Sequence, residues 1–290
     1  MRELIGAAVE RLEESGVPRA QWTAEQLLAH RAGCLPLDLY VGPTELGPEG
    51  QVRFQADVAD RAAGVALQYL MGTAAFYGRE FAVGPGVFNP RPETEVLVEM
   101  ALVHLGSRHE RFTVGGRAPR VVDVGTGSGA IAVTLALERP GLSVTAVERS
   151  EVALSFAREN ARRLEAGVRF LRGHLLESLA PGSVDLVVAN LPYLDPGESA
   201  RWPRELHWEP WMALDGGAGG VDMIRELLST AGRVMSPGAR VILEIGMGQV
   251  EAVCASAEAQ GLQVVHVGQD LAGLDRIIVL ESENAGEVRI

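Results

Sequence analysis

Between positions 121 and 132 the chain reads Val-Val-Asp-Val-Gly-Thr-Gly-Ser-Gly-Ala-Ile-Ala, and no other stretch restricts the possible folds so much. The run Val121, Val122, Asp123, Val124 is mostly β-branched and predicts a strand buried on both faces, as in a parallel sheet. Glycine then falls at alternate positions, Gly125, Gly127 and Gly129, before an apolar periodicity that predicts a helix over about 130–138. Glycines at a strand-to-helix turn let the backbone bend tightly and approach a ligand. The helix N-terminus behind them leaves N–H groups unpaired. The stretch therefore predicts an α/β fold with a ligand bound at this turn.

Charge decides which ligand. A dinucleotide turn reads G-x-G-x-x-G, whereas the glycines here are spaced G-x-G-x-G, and no Lys-Ser/Thr pair follows as a phosphate-binding P-loop requires. Asp123 stands two residues before the first glycine, where a carboxylate repels pyrophosphate and suits a cation. Glu148 closes the next predicted strand, 142–147, at about the spacing of an acidic residue that accepts from ribose hydroxyls. A nucleoside bearing an amino group and a sulfonium, S-adenosylmethionine, matches both charges. The alternative is a tight structural turn with Glu148 merely on the surface.

The 290 residues, 47% of them hydrophobic, suffice for one large domain or a large and a small one. The net charge is −12, and all 26 basic residues are arginine. Coating a duplex takes a basic face, so nucleic acid is not expected as the primary partner. No apolar run reaches the roughly 20 residues that span a bilayer, which gives a cytoplasmic expectation without membrane attachment. Cys34 and Cys254 lie far apart and read as free thiols. His30, His104, His109, His207 and His266 show no ligand spacing, so no metal site is expected.

Residues 1–75 predict a small helical bundle. Leu4, Ala8, Val9 and Leu12 share a face of a first helix ending near Gly16. Thr23 and Gln26 form a capping-box pattern for a second, over 23–31. A third spans about 48–64, with Val52, Phe54, Val58 and Ala62 as its apolar contacts. Residues 76–83, followed by Gly84-Pro85-Gly86 and Val87-Phe88, predict a β-hairpin. Asn89-Pro90-Arg91-Pro92-Glu93-Thr94-Glu95 opens a helix to about 105, with Pro92 suited to its first turn and Glu93 and Glu95 to its dipole. Residues 106–117 read as a loop. Beyond Glu148 helices and strands alternate: helix 151–164, strands 168–171 and 184–189, helix 221–235, strand 240–245, helix 249–260, and a strand pair at 264–267 and 276–280. Residues 281–290 read as a frayed tail. The implied organisation is a helical module over 1–74, a hairpin linker over 75–90 and a main domain over 91–290.

A second motif follows strand 185–189, where Asn190-Leu191-Pro192-Tyr193-Leu194 should face the glycine turn, because loops at the carboxyl ends of parallel strands line the ligand crevice. The Asn190 side-chain oxygen and the next backbone carbonyl can accept the two hydrogens of a planar NH₂ group. Pro192 restricts the backbone presenting the Leu191 carbonyl, and Tyr193 offers a ring face to a flat substrate group. Trp202, Trp208 and Trp211 read equally as a peptide groove or as local core. Glu209-Pro210 reads as a buttress of the loop or as a structural turn.

D-x-G-x-G-x-G with an N-P-P-Y-type loop resembles the amino-methyltransferases of amide and exocyclic amine nitrogens. Pro90-Arg91-Pro92-Glu93-Thr94-Glu95 narrows the resemblance to the HemK/PrmC-type release factor N5-glutamine methyltransferases. So do Gln68-Tyr69-Leu70-Met71-Gly72 and Glu209-Pro210-Trp211-Met212-Ala213-Leu214-Asp215-Gly216-Gly217. The resemblance spans nearly the whole chain. It implies a Rossmann-like methyltransferase fold, with a mostly parallel seven-stranded sheet, one antiparallel C-terminal strand and an N-terminal bundle that grips the substrate. It further implies methyl transfer from S-adenosylmethionine, leaving S-adenosylhomocysteine, to the glutamine amide nitrogen of the Gly-Gly-Gln tip of bacterial class I release factors, by an enzyme expected to be monomeric.

Carried over by position, Asp123, Gly125, Thr126, Gly127, Ser128 and Gly129 line the methionine part of the cofactor, Glu148 holds the ribose, and His174 and Leu175 flank the adenine. Asn190 and the Leu191 carbonyl hold the glutamine NH₂, with Pro192 and Tyr193 completing that loop, and Arg91, Pro92, Glu93 and Thr94 border the pocket. The chain departs from the family pattern at Leu191, where a second proline is usual, and at His174, where an Asp is usual. Alternatives of other kinds are a ribosomal-protein glutamine or a DNA adenine as substrate, and a cofactor-binding module without catalysis.

Overall fold

The computed structural model describes residues 1–42, 45–112, 117–270 and 272–282. Its chain divides into two compact units. One comprises residues 1–74 with 83–85 and 202–209; the other comprises 75–82, 86–201 and 210–290.

The first unit is built on α1 (Arg2–Glu14), α2 (Ala20–Ala32), α3 (Asp38–Val41), α4 (Pro48–Ala63) and α5 (Leu67–Met71). Leu12, Leu27, Leu28, Phe54 and Val58 form its buried centre. Arg31 clasps the nearly buried Asp57 through Nε and Nη2, at 2.5 and 2.7 Å. Arg61 pairs with Glu205. Two sequence expectations fail here. Thr23 does not cap α2, which starts at Ala20 with Arg19 at its N-cap, and Thr23 is buried within the helix. Val52 is 67% exposed and makes no core contact, since α4 turns only the Phe54 and Val58 face inward.

In the remaining chain β1 (Thr73–Phe76) and β2 (Arg79–Ala82) form a two-stranded sheet. The hairpin turns at Tyr77 and Gly78, with φ of 49° and 69°, as a tight two-residue connection demands. Val87 and Phe88, expected as its second limb, lie outside any strand. Next comes α6 (Thr94–Phe112), which continues past the expected end at 105, because Gly106 and the polar residues after it carry no proline to stop it. Residues 113–116 and 283–290, expected as loop and tail, lie outside the described residues, while Glu281 and Ser282 belong to the last strand.

Alternation then sets in: β3 (Arg120–Val124), α7 (Ala130–Glu138), β4 (Ser143–Glu148), α8 (Glu151–Arg163), β5 (Val168–Arg172), β6 (Val184–Asn190), α9 (Asp222–Val234), β7 (Met235–Glu244), α10 (Val250–Glu258), β8 (Leu262–Gln269) and β9 (Asp275–Ser282). The seven-stranded sheet has the order β5-β4-β3-β6-β7-β9-β8. Its first five strands are parallel neighbours, and β9 runs antiparallel to both β7 and β8. The expected methyltransferase-type sheet is therefore present. Successive residues of β3 point to opposite faces, and both faces are covered. Val122 and Val124 join one buried cluster with Leu227 and Leu243, and Val121 joins another with Leu97 and Leu135. This two-sided burial is why the strand reads as a continuous apolar run.

Opposite the ligand edge, one carboxylate ties three strands together. Asp185, 1% exposed, accepts from Arg117 Nη1 and Nη2 (2.5 and 2.9 Å), the Arg120 backbone N–H (2.8 Å) and Ser236 Oγ (2.6 Å). Burial raises its pKa, but the donors from Arg117, Arg120 and Ser236 outweigh burial and hold it below the usual carboxylate range. A depressed folded-state pKa gives stability that is present above the unfolded value and lost as pH falls through the folded one. Asp185→Ala should therefore lower the unfolding free energy at neutral pH by about 2 kcal/mol or more, as hydrogen bonds to a charged group imply. In urea titrations the gap from wild type should narrow as the pH is taken below about 4, where the unfolded chain takes up a proton that the native carboxylate still refuses.

Candidate active site

The turn after β3 is shaped by left-handed backbone. Gly125, Gly127 and Gly129 have φ of 71°, 55° and 82°, values that favour glycine. Their surroundings differ. A Cβ at Gly129 would stand 3.1 Å from Ala157 Cβ, so this glycine lets α8 pack against the turn. At Gly127 a Cβ would meet only Gly125 O, at 4.0 Å, and faces open space. Val147 O accepts the N–H groups of Gly125 and Thr126, at 2.8 and 3.1 Å, and Asn160 Nδ2 donates to Ser128 O at 2.9 Å. Asp123 lies fully buried below. Its Oδ2 accepts from Thr126 Oγ1 (2.5 Å) and the Ala132 N–H (3.1 Å), whereas Oδ1 has no hydrogen-bond partner among the described residues. Burial, against those two bonds and with help from the Glu148 charge, pushes the Asp123 carboxyl up to about 7.

Glu148, at the end of β4, reaches the same turn. Its Oε2 accepts from the Gly127 N–H at 3.1 Å and its Oε1 from the Ser150 N–H at 2.8 Å. Each oxygen keeps a lone pair for a further donor. The loop after β5 is anchored by Gly173, whose N–H donates to Glu148 O at 3.0 Å. His174 Nε2 lies 2.7 Å from Glu226 Oε1, and Leu175 is buried with φ at 45°, an uncommon conformation outside glycine.

The Asn190 loop is the neighbour of this turn. β3 and β6 pair in parallel, Val124 beside Ala189, so both chains leave the sheet at the same edge. A Cβ at Gly125 would stand 3.1 Å from Leu191 Cδ2 and 3.9 Å from Asn190 O. Asn190 Nδ2 donates to Thr94 Oγ1 at 2.9 Å, and Tyr193 OH donates to Glu244 Oε1 at 3.3 Å. Burial and the negative charge of Glu244 push the Tyr193 phenol well up from its ordinary value. A second loop supports the first from behind. The N–H of Leu194 donates to Leu214 O and that of Gly216 to Leu194 O, at 3.0 and 2.9 Å. A Cβ at Gly216 would stand 2.7 Å from Pro192 O, so only glycine permits this approach. Gln249 Nε2 donates to Tyr193 O at 2.8 Å and to Gly219 O at 3.1 Å.

Of the segment expected to border the pocket, Thr94 is buried against Asn190, Arg91 lies over the Phe88 ring at 4.9 Å, and Pro92 and Glu93 are exposed. Trp208 and Trp211 are half exposed, which removes them from any local core. Asn160, Gln249, Glu226 and Glu244 also support the site, though no sequence motif names them. Only Glu244 left a signal, an acidic residue ending an apolar strand as Glu148 does. The others act through folded proximity.

The raised Asp123 pKa carries a stability cost of definite sign. A carboxyl whose folded pKa exceeds its unfolded value stabilises fully below the unfolded value and loses that contribution as pH rises through the folded one. Between about pH 5 and about pH 8 this group should remove roughly 2–3 kcal/mol of unfolding free energy. Asp123→Asn should show a correspondingly flatter pH dependence in denaturant titrations, because the amide stays neutral throughout.

Two family models match the chain: the PrmC N-terminal domain over residues 3–72 and the Methyltransferase small domain over residues 101–202. Among known proteins it is similar to the Release factor glutamine methyltransferase of Cereibacter sphaeroides, 39% identical, the match covering 95% of this chain and 96% of that one. The protein of the same name from Moorella thermoacetica is 40% identical over 95% of this chain and 96% of that one. In structure it resembles a methyltransferase from Pyrococcus furiosus, with a TM-score of 0.51 and 16% identity, covering 83% of this chain and all of that one. The chain belongs to the release factor glutamine methyltransferase family.

Proposed function

We propose that the protein transfers a methyl group from S-adenosylmethionine to the side-chain amide nitrogen of the glutamine in the Gly-Gly-Gln motif of a bacterial class I release factor. The observation that carries this reading is the contact of the two sheet-edge loops, where Leu191 and Asn190 O border the Gly125 position. A ligand on one loop is thereby within reach of a group held on the other. The donor set fits the cofactor: a buried carboxyl oxygen without a partner under the glycine turn suits a cation, and Glu148 retains lone pairs for hydroxyls.

When bound, S-adenosylmethionine supplies an electrophilic methyl group on a sulfonium. The work of this chain is positional, and positioning alone can supply up to ~7–11 kcal/mol in favourable intramolecular cases. Gly125 to Gly129 would line the methionine part, Glu148 would orient the ribose, and His174 and Leu175 would flank the adenine. The Asn190 Oδ1 and the Leu191 carbonyl accept the two N–H groups of the glutamine amide, and Tyr193 packs over it. An amide nitrogen is a weak nucleophile because its lone pair is delocalised. Two acceptors on its hydrogens return electron density to nitrogen and ease its pyramidalisation. Transfer to the held nitrogen would break the carbon–sulfur bond, leave S-adenosylhomocysteine and release one proton from nitrogen.

The helical N-terminal module serves in substrate recognition. The net charge of −12 argues against nucleic acid as the substrate, and the enzyme works as a cytoplasmic monomer. No helix among the described residues is long and apolar enough to cross a membrane.

Incubation of the protein with methyl-labelled cofactor and a purified release factor should place label on the Gly-Gly-Gln glutamine, read by mass spectrometry of the tryptic peptide. Label confined to ribosomal proteins, or cofactor binding without transfer, would overturn the assignment. Asn190→Ala should lower kcat by about 100-fold or more while the cofactor Kd stays within about twofold. Glu148→Ala should do the reverse, weakening cofactor binding by about tenfold in calorimetry, as the loss of charge-assisted hydrogen bonds implies.

A further inference from the structure

Glu244 is a buried carboxyl that the mechanism above does not use. It closes β7, lies beside Asn190 in the parallel ladder, and is 1% exposed. Burying a carboxyl without a cation bonded to it is costly, so its presence at the edge of the active site calls for a function. Two hydroxyls serve it: Tyr193 OH, 3.3 Å from Oε1, and the Thr94 hydroxyl. Its Oε2 has no hydrogen-bond partner among the described residues. Arg276 acts on it through charge, its Nε being committed to Asp270 at 3.0 Å.

The Thr94 hydroxyl joins Glu244 to Asn190. A hydroxyl has one hydrogen, and a carboxylate can only accept. With that hydrogen directed at Glu244, Thr94 Oγ1 presents lone pairs to Asn190, and it is the Asn190 NH₂ edge that meets it, at 2.9 Å. The carboxamide is then locked with Oδ1 on the far side from Thr94. Remove the carboxylate and Thr94 can donate to Asn190 Oδ1 equally well. The carboxamide can then flip and oppose the substrate NH₂ with an NH₂ of its own.

We propose that Glu244 is a positioning residue which, acting through the Thr94 hydroxyl, holds the Asn190 carboxamide with its oxygen toward the substrate amide. This rests on the proposed role of Asn190 in methyl transfer. A second arm of the same device runs through Tyr193, whose hydroxyl is tied to the same carboxylate oxygen, so both side chains of the loop take their orientation from one buried charge.

The device has a pH signature. Burial pushes the Glu244 carboxyl up to about 7, against the hydrogen bonds of Thr94 and Tyr193 and the charge of Arg276, with Glu93 adding to the rise. The other groups around it are the Tyr193 phenol, which burial keeps protonated, and Arg91, which acts on that phenol. A protonated Glu244 can donate to Thr94, reversing the hydrogen bond and releasing the Asn190 orientation. Turnover should accordingly rise with pH through about 7, and the lock should tighten over the same range.

The test measures kcat, KM and cofactor Kd from about pH 6 to about pH 8.5 for wild type, Glu244→Gln, Thr94→Val and Thr94→Ser. It also follows the Asn190 side-chain amide resonance, assigned through Asn190→Ser, in ¹⁵N-labelled protein without substrate. Glu244→Gln and Thr94→Val should each lower kcat by at least about tenfold, leave cofactor Kd within about twofold and lose the acidic limb. Their combination should cost no more than either alone, and Thr94→Ser should restore the wild-type profile. The wild-type Asn190 resonance should titrate near pH 7, and that of Glu244→Gln should not. Unchanged kcat and pH profile in both Glu244→Gln and Thr94→Val would overturn the proposal, and so would lowered thermal stability with normal turnover of the folded fraction. Should Glu244→Gln fail to fold, the Thr94 pair and the wild-type titration decide alone. A wild-type protein that transfers no methyl group to release factor, yet shows the Asn190 titration, would remove the proposed function and leave the hydrogen-bond lock standing.

Discussion

Parallel pairing of β3 with β6 governs everything at the ligand edge. With Val124 beside Ala189, the glycine turn and the Asn190 loop leave the sheet side by side, and the chain reverses its winding between these two strands. A crevice at the carboxyl end of a parallel sheet forms at such a switch point. What keeps the pairing fixed is burial on both faces: Val121 and Val122 point to opposite sides and neither can be exposed by a slip. At the other end of the same strands Asp185 draws Arg117, Arg120 and Ser236 together, tying the starts of β3, β6 and β7 across the irregularity between Val184 and Leu186 where β6 shifts register against β7.

Rigid strand ends make buried charge tolerable. Asp123 and Glu244 both sit at carboxyl ends of central strands, both are inaccessible, and both keep one oxygen without a partner among the described residues. Each is a cost in folding free energy that an apolar residue would avoid. Both stand where a site for a cation and an amide is expected to need fixed negative charge. The surrounding polar side chains are satisfied by backbone instead. Asn160 closes on Ala82 and Ser128, and Gln249 on Tyr193, Gly219 and Gly246, which fixes the loops without adding charge. Neutral clamps hold the backbone, and the two carboxyls bias what the backbone presents.

The parts of this arrangement legible in the sequence are those with a local cause. The bounds of α7 (Ala130–Glu138) followed from apolar periodicity behind glycine, and the Asn-Leu-Pro-Tyr motif was visible as a polar break after an apolar strand. What was not legible depends on distant partners. Thr23 resembles a helix cap by spacing alone, but the helix begins a turn earlier and buries it. The hairpin turns at Tyr77-Gly78 because both residues accept positive φ, although Gly84-Pro85-Gly86 carries the stronger turn composition. Gly106 and the polar residues after it read as a loop, but without a proline the helix runs on to Phe112. Glu244, Gln249 and Asn160 have no sequence neighbours that announce their partners, which lie 51, 56 and 78 positions away at Tyr193, Tyr193 and Ala82.

The two departures from the family pattern acquire a physical reading from the same geometry. A proline after Asn190 would stiffen the loop through its backbone ring. Leu191 stiffens it by burial instead, being 3% exposed with Cδ2 against the Gly125 position. That contact also crowds any Cβ at Gly125, where a φ of 71° already favours glycine. At His174 a carboxylate is still present, supplied one step removed by Glu226. In the neutral ring a hydrogen bond from Nε2 to the Glu226 carboxylate leaves Nδ1 as the acceptor. In that neutral form the loop after β5 carries an acceptor at the position where the family pattern has an Asp, with Glu226 from α9 as the ring's other partner.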